Sequence, residues 1–154
     1  MIILGIDPGT TRIGYGVIEV LGSTMRHVQS GLLEVRGEYP TSLKTIERDL
    51  QNIIKKTKPE RIGVEKLFFV RNQKTGIRVA EARGVVLNTA SKMGVEIWEL
   101  APSEIKLALT GYGSATKEGV AKMVRHFVRL PEGKIIDDTT DALAIAITAS
   151  RRVF

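Results

Sequence analysis

Four acidic residues carry the chemistry that this sequence suggests: Asp7, Glu65, Asp138 and Asp141. Asp7 stands in "ILGIDPGTTRIGYGVIEV", a lone carboxylate that ends an apolar run and precedes a Pro8-Gly9 turn. A buried, unpaired carboxylate is costly. A metal, a set of hydrogen bonds or an exposed strand end must compensate it. Glu65 sits inside a second apolar stretch, Arg61–Leu67. Asp138 and Asp141 are three residues apart at the start of a helical run and so share a face. Taken singly, each has an ordinary explanation: a strand-ending turn, a solvated charge, acids at a helix start. Asp137 is read as that helix's cap. Together they ask for cations, because two like charges 4 Å apart repel by roughly 4 kcal/mol at an effective dielectric of 20. Carboxylate oxygens suit hard ions such as Mg²⁺ or Mn²⁺. The chain has no cysteine, and His27 and His126 are read as surface residues. Two such ions about 3.5–4 Å apart activate a water and stabilise the leaving oxygen of a phosphodiester.

The elements must bring these residues together. Ile2–Asp7, Tyr15–Val20 and Met25–Val35 read as three strands with short connections, an antiparallel meander. Leu43, Ile46, Leu50, Ile53 and Ile54 fall at helical spacing, with Thr41 or Ser42 as cap. Arg61–Leu67 is a fourth strand and Val95–Leu100 a fifth, separated by a helix from about Thr75 to Met93. Helices over Pro102–Thr110, Val120–Val128 and Asp137–Ser150 complete the chain. Strands one, four and five are joined through helices and should run parallel with right-handed crossovers. The expectation is an α/β fold: a five-stranded mixed sheet, strand order 3-2-1-4-5, with helices on both faces. Asp7 and Glu65 then emerge at the edge where α/β sheets bind ligands.

A length of 154 residues suits a single domain spanning 1–154. Lys and Arg outnumber Asp and Glu, 23 to 17, giving a net charge of +6 and favouring a polyanionic partner. The absence of cysteine excludes disulfides and fits a reducing compartment. The N-terminal apolar run is broken by Asp7, too early for a signal peptide. No apolar stretch approaches the roughly 20 residues that span a bilayer. A cytoplasmic location is therefore expected.

At these residues the chain resembles the RuvC family of Holliday-junction resolvases, through "IILGIDPGTTRIGYGVI", "IGVEKLFFVRN", "EARGVV", "GSATKEGVAKMV" and "DDTTDALAIAIT". The resemblance implies a ribonuclease-H-like fold. It also implies a homodimeric, divalent-metal-dependent endonuclease that nicks two like-polarity strands of a four-way DNA junction symmetrically, in recombination and repair. Two Mg²⁺ ions per active site, with Mn²⁺ substituting, belong to that picture, as does a branch-migration motor as partner. By motif, the catalytic acids are Asp7, Glu65, Asp138 and Asp141; some relatives carry histidine at the place of Asp138. Lys106 and Lys117 match basic residues near the scissile phosphate, and Phe68 matches an aromatic that stacks on a junction base. Arg83 falls in the segment resembling the dimerising helix. The chain stops at Phe154, where many relatives continue in a polar tail, and Thr139 and Thr140 stand where small residues are common.

The basic residues also have a reading of their own. Lys66, Arg71, Lys74, Arg78 and Arg83 surround Phe68 and Phe69. Basic side chains track phosphates, and an aromatic stacks on an unpaired base for about 1–3 kcal/mol. A solvated helix face is the plain alternative. Lys117 opens a helix, where a cation opposes the helix dipole. Three rival functions remain at this stage. A ribonuclease-H-like nuclease acting on RNA shares the site. An actin-like ATPase fragment shares the "DPGTTRIGYG" turn, but such enzymes need two domains. A non-enzymatic DNA-binding module leaves the acids unexplained.

Overall fold

The computed structural model describes residues 1–67, 73–130 and 137–151, apart from the side chains of Gln73 and Lys74. Strands β1 (Ile2–Asp7), β2 (Arg12–Leu21) and β3 (Thr24–Glu34) form the meander. Helix α1 (Ser42–Thr57) leads to β4 (Arg61–Glu65), α2 (Gln73–Lys92) to β5 (Glu96–Leu100). Helices α3 (Pro102–Thr110) and α4 (Lys117–Phe127) follow, then β6 (Val128–Arg129) and α5 (Asp137–Ser150). The sheet order is β5-β4-β1-β2-β3-β6. β1 pairs antiparallel with β2 and parallel with β4, and β4 pairs parallel with β5.

The expected 3-2-1-4-5 order holds, but the sheet has six strands rather than five. Val128 continues the helical spacing of Val120, Val124 and Phe127, so the periodicity counts it as helix. Instead it leaves α4 in an extended conformation and pairs with Met25 of β3. The fourth strand ends at Glu65, two residues short of the expected Leu67. Asp137 is the first helical residue of α5 and not its cap.

β1 is buried on both faces, which explains its unbroken apolar run. Leu4 and Ile6 join the core under α1 and α2, with Ile46, Leu50 and Val86. Ile3 joins the opposite core, with Val120, Val124, Leu143 and Ile147. The strand alternation therefore sends residues 3, 5 and 7 toward α5. On β4 the same parity sends Gly63 and Glu65 that way, since Ile62 and Val64 face the other core.

Helix α5 lies across β1, β2 and β4. It lies close because the facing positions are glycines in register: Gly16, Gly5 and Gly63 are aligned across three strands. A Cβ on Gly5 would stand 2.0 Å from the Ala142 carbonyl oxygen, and one on Gly14 2.1 Å from that of Asp138. No real contact is that short, so the helix backbone rests directly on the sheet backbone.

Candidate active site

Asp7 is the last residue of β1, and Gly14 is its partner on β2. Because Gly14 has no side chain, the start of α5 reaches that spot and delivers Asp138 beside Asp7. Glu65 ends β4, one step beyond the Ile6–Val64 pair, and so flanks Asp7 on the other side. Asp141 lies on the same face of α5 as Asp138. A pocket of about 330 Å³ is lined by Asp7, Glu65, Asp138 and Asp141 together with Lys106, Lys117, Pro102, Ile105 and Ile145. All four predicted acids thus meet at one rim of the sheet.

The electrostatics follow from crowding. Burial, then the charges of Glu65, Asp141 and Asp138, push the Asp7 carboxyl up to about 7. Glu65 is raised for the same reasons, burial first and Asp141 second. Lys117 Nζ lies 3.2 Å from Asp141 Oδ2. That carboxylate holds the Lys117 ammonium above its ordinary value. Lys117 follows Thr116, whose hydroxyl accepts from the Gly119 N–H and starts α4. Lys106 comes from α3, whose first turn is fastened where Glu104 accepts the Ala101 N–H at 2.5 Å.

Two basic residues escaped the sequence reading in this role. Arg12, the first residue of β2, places Nε 2.5 Å from Asp138 Oδ2. Arg83 of α2 donates from Nε to the Glu65 carbonyl oxygen at 2.9 Å, and its guanidinium also pairs with Glu99 of β5. It therefore holds the main chain of Glu65 in place. The only sequence signals were an arginine closing the "DPGTTR" turn and one inside "EARG".

Other expected contacts lie elsewhere. Arg78 stacks its guanidinium 3.4 Å from the centre of the Tyr39 ring and lies 3.6 Å from Glu81, and it does not line this pocket. Lys66 is exposed and also outside the lining. Phe68 and Arg71 lie outside the described residues, as does the side chain of Lys74. His27, expected on the surface, is half-buried and shares a 2.8 Å hydrogen bond with Ser30; His126 is exposed.

Among the described residues, no three acids close into a set ready to hold an ion. Of the α5 carboxylates, Asp138 is engaged by Arg12 and Asp141 by Lys117 instead. The donor set still fits hard divalent cations: every candidate ligand is a carboxylate oxygen. Burial first, and then the charges of Glu65, Asp141 and Asp138, keep Asp7 raised despite Lys117.

A mixed sheet in this order, packed between helices and with acids at the ends of its central strands, defines a ribonuclease-H-like fold. The chain belongs to the RuvC family, crossover junction endodeoxyribonucleases, whose family model matches residues 3–149. It is 44% identical over 154 residues to the crossover junction endodeoxyribonuclease RuvC of Brachyspira hyodysenteriae, covering 99% of this chain and 95% of that one. Its identity to the Pseudothermotoga lettingae enzyme is 43% over 148 residues, covering 95% and 91%. Among solved structures, Thermus thermophilus RuvC in complex with a Holliday junction substrate superposes with a TM-score of 0.89. Its identity is 34%, over 97% of this chain and 93% of that one. The yeast mitochondrial resolvase Ydc2, at 16% identity and a TM-score of 0.65, shares the fold.

Proposed function

We propose that this protein resolves four-way DNA junctions by paired, symmetric nicks, with Asp7, Glu65, Asp138 and Asp141 as the ligands of two Mg²⁺ ions. The observation that carries this reading is the convergence of four carboxylates, from three separate segments, on one pocket that also holds Lys106 and Lys117. Cations bound there would activate a water for in-line attack and stabilise the departing 3′ oxygen. The protein's own groups account for the rest. Asp7 and Glu65, held by strand ends, fix the inner wall of the site. Lys106 and Lys117 offset the charge that grows on the phosphoryl oxygens. Lys117 is released for this role once Asp141 turns to another partner. The net charge of +6 draws in the polyanionic substrate. Two copies related by a two-fold axis present two such pockets, which matches the approximate symmetry of a four-way junction.

The test is nicking of a fixed synthetic junction with Mg²⁺ present or chelated. Chelation is expected to stop cutting while junction binding remains detectable. Asp7→Asn, Glu65→Gln and Asp141→Asn are each expected to lower the rate by at least about a hundredfold while retaining binding. Full nicking by Asp7→Asn would reject the metal role. Running a linear duplex and an RNA hairpin beside the junction separates this reading from an RNA-directed nuclease.

A further inference from the structure

Two cationic side chains hold the acids of α5. Lys117 is 78% exposed where it meets Asp141. Arg12 is 54% exposed, and its Nε stands 2.5 Å from Oδ2 of Asp138, a side chain that is 30% exposed. That oxygen is itself closed off from solvent, yet it accepts no aligned hydrogen bond among the described residues. The Arg12 contact is therefore charge on charge, without the aligned fork that makes an arginine–carboxylate pair strong. The Arg12 side chain is largely in solvent, so its head group is free to leave, although the Asp138 oxygen that it faces is enclosed. Arg12 also stands at a useful place. It ends the turn that follows Asp7, on the face of the sheet that carries the acids, and a guanidinium there is well suited to a DNA phosphate.

We infer that Arg12 is a specificity-determining residue: its guanidinium occupies Asp138 in the free protein, and transfer of that guanidinium to a substrate phosphate frees the carboxylate for a divalent cation. This inference rests on the reading of Asp138 as a metal ligand. It makes completion of the metal site depend on bound DNA, and linkage makes the dependence reciprocal. The free protein then holds an incomplete site and is guarded against cutting DNA that does not reach Arg12.

The experiment is Mn²⁺ binding to the DNA-free protein, followed by the electron paramagnetic resonance of unbound Mn²⁺, for four proteins. These are the wild type, Arg12→Gln, Asp138→Asn and the double variant. Arg12→Gln is expected to tighten Mn²⁺ binding about fivefold or more. In the Asp138→Asn background the same change is expected to have no effect, because the competition has lost its object. The Mn²⁺ midpoint for nicking a fixed junction, where DNA has already drawn Arg12 away, should move less than about twofold. Unchanged or weaker binding by Arg12→Gln overturns the inference. So does equal tightening in the Asp138→Asn background, which would mark a general field effect. Binding of Mn²⁺ by neither the wild type nor Arg12→Gln overturns the metal-ligand reading itself, whereas measurable binding that Arg12→Gln leaves unchanged overturns only the inference, so the two failures are distinguishable.

Discussion

Ionising Asp7 in the metal-free protein puts a charge into a half-enclosed site beside three other acids. Its carboxyl is raised from 3.8 to about 7, burial being the first cause. Between those values the folded state binds more protons than the unfolded state, so stability falls as pH rises. The loss is absent below about pH 4 and complete above about pH 7, with an upper size of about 4 kcal/mol. Asp7→Asn is therefore expected to melt higher than the wild type at pH 8 in chelator, by roughly 5–10 °C. At pH 4 the difference should shrink toward zero, and calorimetry at the two pH values checks it. The acids were legible as residues because a carboxylate inside an apolar strand is a chemical anomaly. Arg12 and Arg83 were not. In a chain with 23 basic residues an arginine is unremarked until the contact it makes across the fold is known.

At the scale of elements, the seat of α5 on the sheet decides where Asp138 and Asp141 stand. A methyl on Gly5 meets backbone atoms at 2.0 and 2.5 Å, which cannot turn aside. A methyl on Gly63 meets Ala149 Cβ and Ile145 Cγ2 at 2.9 Å and the Ile145 carbonyl oxygen at 3.2 Å, a milder clash that a small shift of the helix relieves. Gly5→Ala should thus cost more than about 3 kcal/mol, and Gly63→Ala about 1–3 kcal/mol, by urea denaturation. Equal losses would contradict the direct backbone contact. Helix and strand order were readable from periodicity and from Pro and Gly punctuation; Gly94 and Gly111 do adopt positive φ after α2 and α3. The glycine row was not readable, because Gly5, Gly16 and Gly63 become neighbours only through strand register. Strand β6 escaped for a related reason: two residues show no alternation, and their pairing with β3 is long-range.

For the whole molecule, the surplus of positive charge sets how it meets DNA. Junction affinity should fall linearly with log salt concentration, as counterions are released from neutralised phosphates. Lys106→Gln is expected to lower the slope by about 1, because it removes one phosphate contact. Fluorescence anisotropy with a labelled junction in chelator, at four salt concentrations, measures this. An unchanged slope would remove Lys106 from the DNA path. No helix among the described residues is long and apolar enough to cross a membrane, which agrees with the hydropathy of the sequence.

The direct seating of α5 also limits how this enzyme can change over generations. A crowded side chain is commonly accommodated when a neighbour shrinks, but glycine has nothing left to trim, and the atoms opposite Gly5 and Gly14 belong to the main chain. A lineage that lost either glycine could recover only by relocating an entire helix, and two acids would travel with it. Ordinary core positions can drift in small steps, whereas this seam must be inherited whole.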